Sequence, residues 1–248
     1  MKISVVTASY NAASTIGCTL QSVAEQRWPD VEHIVIDGGS KDDTSAIVTR
    51  KQRPGGIYVN EPDGGIYDAM NKGISRATGS VIGLLNADDF YADADVLTRV
   101  AQAFEHHGCD AVLGDVGFVR DGATDAIIRR YESRQFRPAR IPWGWMPAHP
   151  AMFLTRGAYD RVGEYRTDYR IAADFEFVVR AFAKARLRYV HLPEILVKMR
   201  VGGVSTAGIR AKWTINRECI RACRENGIYS NHLMIASKYP MKLVGLIR

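Results

Sequence analysis

The chain reads as an α/β protein, with a twisted, mostly parallel sheet flanked by helices, then an elaborated second half and a helical tail. Three observations lead there. Short apolar runs at residues 3–7, 34–36 and 81–85 have the length of buried strands. Each run stops abruptly at small, polar, aromatic or acidic residues. Stretches of helical spacing lie between the runs, and such crossovers favour parallel pairing. In an open sheet of this kind ligands gather outside the carboxyl ends of the strands, so three polar strand ends would share one crevice.

The first strand, Ile3-Ser4-Val5-Val6-Thr7, runs into Ala8-Ser9-Tyr10-Asn11. Residues 14–26 then carry helical spacing in Ile16, Leu20 and Val23, with Ser14 as the expected N-cap. The second strand ends in Asp37-Gly38-Gly39-Ser40, and a short helix is expected near residues 44–50. Ile57-Tyr58-Val59 predicts a third short strand, and Glu61-Pro62-Asp63-Gly64-Gly65 a turn before a helix over about residues 66–76. A strand ending at Asn86, a helix over about residues 93–107 and a strand from Ala111 to Asp115 follow. Beyond residue 122 the rhythm weakens. Residues 134–147, rich in Pro, Arg and Trp, predict a long loop. A strand at residues 151–154, helices over 156–162 and 173–186, an extended segment over 189–200, a Gly202-Gly203-Val204-Ser205 loop and a helix over 209–225 complete the reading.

At 248 residues and 46% hydrophobic, the chain is long enough to bury one substantial core. No apolar stretch approaches the roughly 20 residues of a membrane span, and the N-terminus enters a strand too soon for a cleavable leader, so residence in the cytoplasm is expected. Cys18, Cys109, Cys219 and Cys223 lack paired metal-site spacing and read as reduced structural thiols. The net charge of +6 is uneven: eight of the 33 basic residues and two of the 27 acids lie from residue 208 onward. A neutral body argues against nucleic acid as a partner. The basic tail, with Arg210, Arg217, Arg221 and Arg224 at helical spacing, fits either a solvated helix packed on the sheet or a helix resting on an anionic membrane surface.

The candidate site residues sit at the strand ends. Asn86-Ala87-Asp88-Asp89 closes an apolar run and is open to two readings, an Asx turn or a cation site against a phosphorylated ligand. Asp37 before two glycines can be a turn former, and Tyr10 a packed surface aromatic. Asp68, Asn71 and Lys72 share one helical face, which suits a solvated helix as well as a ligand contact.

Five segments in order resemble family 2 inverting glycosyltransferases of the GT-A fold, a Rossmann-like sheet, and the bacterial cell-surface polysaccharide members in particular. They are Thr7-Ala8-Ser9-Tyr10-Asn11, Asp37-Gly38-Gly39-Ser40, Asp63 through Gly73, Asn86-Ala87-Asp88-Asp89 and Ala172-Ala173-Asp174. The resemblance spans residues 2–205 and implies a donor half (1–120), an acceptor half (121–207) and a separate tail (208–248). It implies a nucleotide diphosphate sugar as donor, with Thr7, Ser9, Tyr10, Asn11 and Asp37 around a uracil or thymine base, and Asp68, Asn71, Asn86 and Ala87 near the diphosphate or sugar. Asp88, with Asp89 beside it, matches the metal-binding acid for Mn2+ or Mg2+; Asn86 replaces the first acid of the usual D-x-D pattern and removes one charge. Asp174 matches the catalytic base, although an Asp there could equally cap the helix it begins, and Glu176 is the fallback. Trp143, Trp145 and His149 fall where the family builds its acceptor pocket, for a glycan or a lipid-linked sugar. Arg200 and the 202–205 loop are placed to close over the nucleotide. Processive members carry Q-x-x-R-W, but here Ile209, Lys212 and Trp213 align, so addition of a single sugar is implied. The first strand is not followed by the glycine-rich loop of a pyrophosphorylase or a dinucleotide dehydrogenase. Asn86 leaves a non-catalytic sugar-nucleotide or glycan-binding protein as the alternative.

Overall fold

The computed structural model describes residues 1–201 and 208–244. One sheet runs through the molecule in the order β3-β2-β1-β4-β8-β6-β9-β5, with β7 paired to β6. Its first half is β1 (Ile3–Ser9), β2 (Val31–Asp37), β3 (Ile57–Asn60) and β4 (Val81–Leu84), all parallel. α1 (Ile16–Ala24), α2 (Thr44–Lys51) and α3 (Ile66–Arg76) make the connections between them. β5 (Phe90–Tyr91), α4 (Val96–His107), β6 (Ala111–Val119), β7 (Arg129–Tyr131), β8 (Met152–Thr155) and α5 (Arg156–Val162) follow in the chain. α6 (Ala173–Val178), β9 (Tyr189–Arg200), α7 (Gly208–Glu225) and α8 (His232–Val244) complete it. The parallel pairing holds for the first four strands. Beyond them β8 runs antiparallel to both β4 and β6, while β6 and β9 are parallel.

Burial follows the two-residue period of a sheet covered on both faces. Ile3, Val5 and Val81 pack with Val23 of α1 and with Val100 and Phe104 of α4. Val6, Ile34, Ile36 and Ile82 face the other way, onto Ala69 and Met70 of α3 and onto α5 and α6. α1 buries Ile16, Leu20 and Val23, the three positions whose spacing predicted it. It starts at Ile16 behind Thr15, and no side chain caps it, so Ser14 is not the N-cap. The helix expected over 173–186 is α6 followed by a wider, π-type turn at Val179–Lys184.

The region from residue 208 is not a detached appendage. Cys219, Ala222 and Cys223 of α7 and Ile235 of α8 join the same core as the β1 and α3 side chains. The arginine stripe is also partly spent inside the protein. Arg221 is ion-paired with Asp168 and Glu225, and Arg217 stands over the Trp213 ring at 4.8 Å. The side chain of Arg210 and the 202–205 loop lie outside the described residues. Among the described residues no helix is long and apolar enough to cross a membrane, and all four cysteines are free thiols.

Close approach of α3 to β1 depends on a residue without a side chain. A methyl group on Gly73 would overlap Val6 Cγ1. We predict that Gly73→Ala lowers stability by about 1–2 kcal/mol, because overpacking costs of about 1–3 kcal/mol exceed the gain of about 1 kcal/mol in helix propensity. A lower urea midpoint at unchanged m-value is the expected readout, and an unchanged or higher midpoint would show that β1 and α3 have slack.

Candidate active site

Parallel pairing brings the strand ends out level with one another. Ser9 lies beside Asp37 across β1 and β2, and Val6 lies beside Leu84 across β1 and β4. Beyond these ends is a cavity of about 670 Å³. Ser9, Tyr10 and Asn11 line it after β1, Asp63 and Gly65 before α3, and Asn86, Ala87 and Asp88 after β4. Its shape depends on the loop after β1, where Asn11 has φ 48°, a left-handed conformation that Asn tolerates. Asn11 Oδ1 accepts from Lys41 N at 2.8 Å, and Asn11 N donates to Ser40 Oγ at 2.8 Å. The Ser40 hydroxyl in turn donates to Asp37 Oδ1 at 2.7 Å, and Tyr58 donates to Asp37 Oδ2 at 3.2 Å. Tyr10 is thereby left 63% exposed at the cavity wall. Ser9 Oγ is buried there and has no hydrogen-bond partner among the described residues.

The sequence-read residues divide. Ser9, Tyr10, Asn11, Asn86, Ala87 and Asp88 line this cavity. Thr7 lies below it and shares a 3.0 Å hydrogen bond with His33 Nε2, while Asp37 is fully buried in its turn and Gly38 takes its place at the wall. Asp68 accepts from Gly64 N at 2.9 Å and pairs with Lys72 at 3.3 Å. Asn71 exchanges two hydrogen bonds with the Tyr165 backbone, at 2.7 and 2.8 Å, tying α3 to the second half. Both Asp68 and Asn71 line a neighbouring cleft instead.

Asp88 and Asp89 are adjacent in sequence but differ in environment. Asp89 is 1% exposed, and burial together with the Asp88 charge pushes its carboxyl well above the ordinary range. It accepts from Asn86 Nδ2 at 3.3 Å. Asp88 is therefore the carboxylate of this pair that faces the cavity. Among the described residues no cluster of three or more His, Cys, Asp or Glu forms a metal cage.

A second cavity, of about 660 Å³, contains Asp174. An aromatic stack ties α3 to the second half: Tyr67 of α3 stacks on Tyr165 at 6.1 Å, and Tyr165 on Phe177 at 4.3 Å. The Tyr67 hydroxyl donates to Ile171 O, in the segment leading to α6. Glu218 of α7 accepts from Arg170 N, Ile171 N and Ala172 N at 2.8, 3.0 and 2.8 Å. A carboxylate supplied from another helix therefore satisfies the donors just before α6. Asp174 does not cap that helix. Its Oδ1 accepts from its neighbour Phe175 N, at 2.7 Å, and burial pushes its carboxyl from 3.8 up to about 6. Glu176, the fallback, is 1% exposed and held by Arg180 at 2.8 Å, away from the cavity.

His149 lines the second cavity beside Asp174 and shares a 2.9 Å hydrogen bond with the Tyr165 hydroxyl. Burial pushes its imidazole down to about 4, so it is neutral near pH 7. Trp143 and Trp145 are absent from this lining. Gly144 between them reaches the cavity, Trp143 is 43% exposed and Trp145 lies under Arg140 at 5.4 Å. Residues not expected from the sequence complete the lining: Arg129, Tyr131, Met199, Lys212 and Lys238. The basic character of the tail was the available signal for the two lysines. The loop carrying His149 is anchored through Asp115, which accepts from Arg130 Nε at 2.9 Å and from Ser133 N at 2.8 Å, and Ser133 Oγ accepts from Ala148 N. Arg200, expected at a phosphate, pairs with Asp121 at 2.8 Å.

The family model "Glycosyl transferase family 2" matches residues 4–162. This chain belongs to glycosyltransferase family 2. It is therefore an enzyme, a glycosyltransferase, and its mixed α/β sheet is the GT-A fold. It is 35% identical over 198 residues to a "PGL/p-HBAD biosynthesis glycosyltransferase" of Mycobacterium bovis, covering 76% of this chain and 73% of that one. It is 34% identical over 184 residues to an uncharacterized glycosyltransferase of Mycobacterium tuberculosis, covering 72% and 68%. Among solved structures, S. aureus TarS 1–349 in complex with UDP-GlcNAc shares the fold with a TM-score of 0.72 at 19% identity, covering 96% of this chain and 71% of that one. Glucosyl-3-phosphoglycerate synthase of Mycobacterium tuberculosis, with Mn2+, UDP-glucose and phosphoglyceric acid, matches with a TM-score of 0.64 at 16% identity, covering 93% and 81%.

Burial raises the proton affinity of Asp174 in this glycosyltransferase, and its contribution to stability therefore depends on pH. Between about pH 4 and 6 the folded chain holds a proton that the unfolded chain has lost, so the Asp174 contribution to stability falls as pH rises through that window. Asn cannot titrate. Asp174→Asn should therefore raise the thermal midpoint relative to wild type at pH 7 and leave it nearly unchanged at pH 4. An equal difference at both pH values would mean that the carboxyl group is not destabilised by burial.

Proposed function

We propose that this enzyme moves one sugar from a nucleotide diphosphate sugar, UDP-linked, to a hydroxyl of a glycan or lipid-linked acceptor, with inversion and without processive extension. The carrying observation is the division of acids between two cavities, Asp88 in one and Asp174 in the other, with Tyr67, next to Ile66 of the first lining, hydrogen-bonded to Ile171 of the second. The donor nucleotide occupies the first cavity, with Tyr10 against the base and Ser9 Oγ given a partner by the ligand. Asp37 supports this wall through Ser40 and Asn11. The UDP ligands of the structural neighbours support a uridine donor.

The charge of the first cavity bears on the metal. Its described lining carries Asp63 and Asp88 and no Lys or Arg. A diphosphate placed there would meet like charge, so the lining fits a divalent cation brought with the substrate, Mn2+ or Mg2+. Asp88 and the Asn86 carbonyl oxygen would hold it, with phosphate oxygens completing a shell that no protein cage provides. The cation supplies charge neutralisation for the departing diphosphate. Asp174 accepts the proton of the acceptor hydroxyl as that oxygen bonds to the anomeric carbon, opposite the breaking bond to the diphosphate oxygen. With its carboxyl near 6, Asp174 is ionised at neutral pH yet retains the proton affinity a base needs. The family's surface-polysaccharide members support a role in building a cell-surface glycan from the cytoplasmic face of the membrane.

Asp174→Asn should leave UDP binding intact and lower turnover about a hundredfold or more. Near-normal turnover would place the base elsewhere. Wild-type turnover should fall as pH drops through about 6. Asp88→Ala should abolish transfer and weaken UDP binding when manganese is present but not in chelator; a variant equally impaired in both conditions would remove the cation from the mechanism.

A further inference from the structure

The two cavities carry charge of opposite sign. Where the first has two carboxylates and no cation, the second sets Arg129, Lys212 and Lys238 against the lone carboxylate of Asp174. These cations come from β7, α7 and α8, so three separate elements converge on one space. Lys238 is 7% exposed, and an ammonium group that deep is costly unless opposite charge is near. Asp174 is within its field. Arg129 stands over the Phe118 ring at 3.9 Å, which occupies the face of the guanidinium and leaves its in-plane N–H donors for another partner.

Most of the remaining lining is apolar, His149 and Tyr131 apart. Phe118, Met146, Phe175, Met199 and Ile215 contribute to it, and apart from Asp174 it holds no Asp, Glu, Asn, Gln, Ser or Thr among the described residues. A neutral sugar displays several hydroxyls, each of which loses water on entry and needs an acceptor or donor in return. Side-chain acceptors for those hydroxyls are few on this wall. An apolar body loses nothing by entering, and about 660 Å³ accommodates a sizeable one.

We propose that the acceptor is an anionic amphiphile: an apolar body against the aromatic and methionine side chains, joined to a phosphate or similar anionic group held by Lys212, Arg129 and Lys238. The inference rests on the second cavity being the acceptor site and narrows the acceptor from a bare glycan to a lipid-like molecule carrying negative charge. Methionines fit such a role because their unbranched side chains adapt to irregular apolar shapes.

Calorimetric titration of the full chain with octyl phosphate, 1-octanol, inorganic phosphate and octyl glucoside separates the possibilities. Octyl phosphate should bind at least tenfold more tightly than each of the other three. Lys212→Gln, at an exposed position, should weaken octyl phosphate about tenfold, as loss of one charge-assisted contact does, and leave 1-octanol unchanged. Arg129→Gln should act in the same direction. The proposal is overturned if octyl glucoside or 1-octanol matches octyl phosphate, if inorganic phosphate binds equally well, or if Lys212→Gln has no effect. UDP binding with manganese, recorded in the same samples, reports on the first cavity alone. Its failure would count against the donor reading and leave the octyl phosphate comparison decisive for the acceptor.

Discussion

Parallel pairing of β1 with β2 on one side and β4 on the other is the constraint on which the site depends. In parallel register, neighbouring strands that start together finish together, so Ser9, Asp37 and the segment after Leu84 emerge along one edge. The backbone groups of these strands are used up in the ladder, and their side chains are buried on both faces. Polar chemistry is then confined to where the ladder stops. The close approach of α3 to β1 at Gly73 extends the same logic, because it brings Asp63, Gly65 and Ile66 over the strand ends.

The second half uses a different device. Asp174 does not stand at a strand end; its position depends on the chain entering α6, whose free N–H groups are gathered by Glu218 from α7. A carboxylate receiving three backbone donors forms strong, directional bonds, so α7 fixes the approach to Asp174 more tightly than a local cap would. α8 adds Lys238 to the same cavity, and Asp115 and Ser133 hold the loop that presents His149. The basic tail is therefore a working part of the second cavity.

Electrostatics separate the two spaces. A cavity lined by carboxylates favours a ligand accompanied by a cation, and one lined by cations favours an anion. Burial raises the proton affinity of Asp174 without a carboxylate among its lining neighbours, whereas Asp89 is raised while turned away from ligand. In the proposed mechanism the same physical effect thus serves chemistry in one place and a buried turn in the other. What distinguishes them is access to the cavity, which neighbouring positions in a sequence do not reveal.

The sequence alone determined the sheet's parallel half, since apolar runs of strand length alternating with helical spacing leave few other arrangements. It also determined the family, and it placed Ser9, Tyr10, Asn11, Asn86 and Asp88 along the first cavity, because motif residues just past a strand end are carried to the crevice by local geometry. Residues one turn further on were less legible. Asp68 and Asn71 share a helix face that α3 turns toward the neighbouring cleft, and the rotation of a helix about its axis is set by packing against β1. The two tryptophans flanking Gly144 gave no hint that the glycine, and not they, would reach the cavity. The placement of Arg129, Lys212, Glu218 and Lys238 was decided by tertiary structure, the basic tail having signalled charge but not position. They act from β7, α7 and α8 across long stretches of chain, and sequence periodicity reports which face of an element is apolar but not which distant element that face will meet.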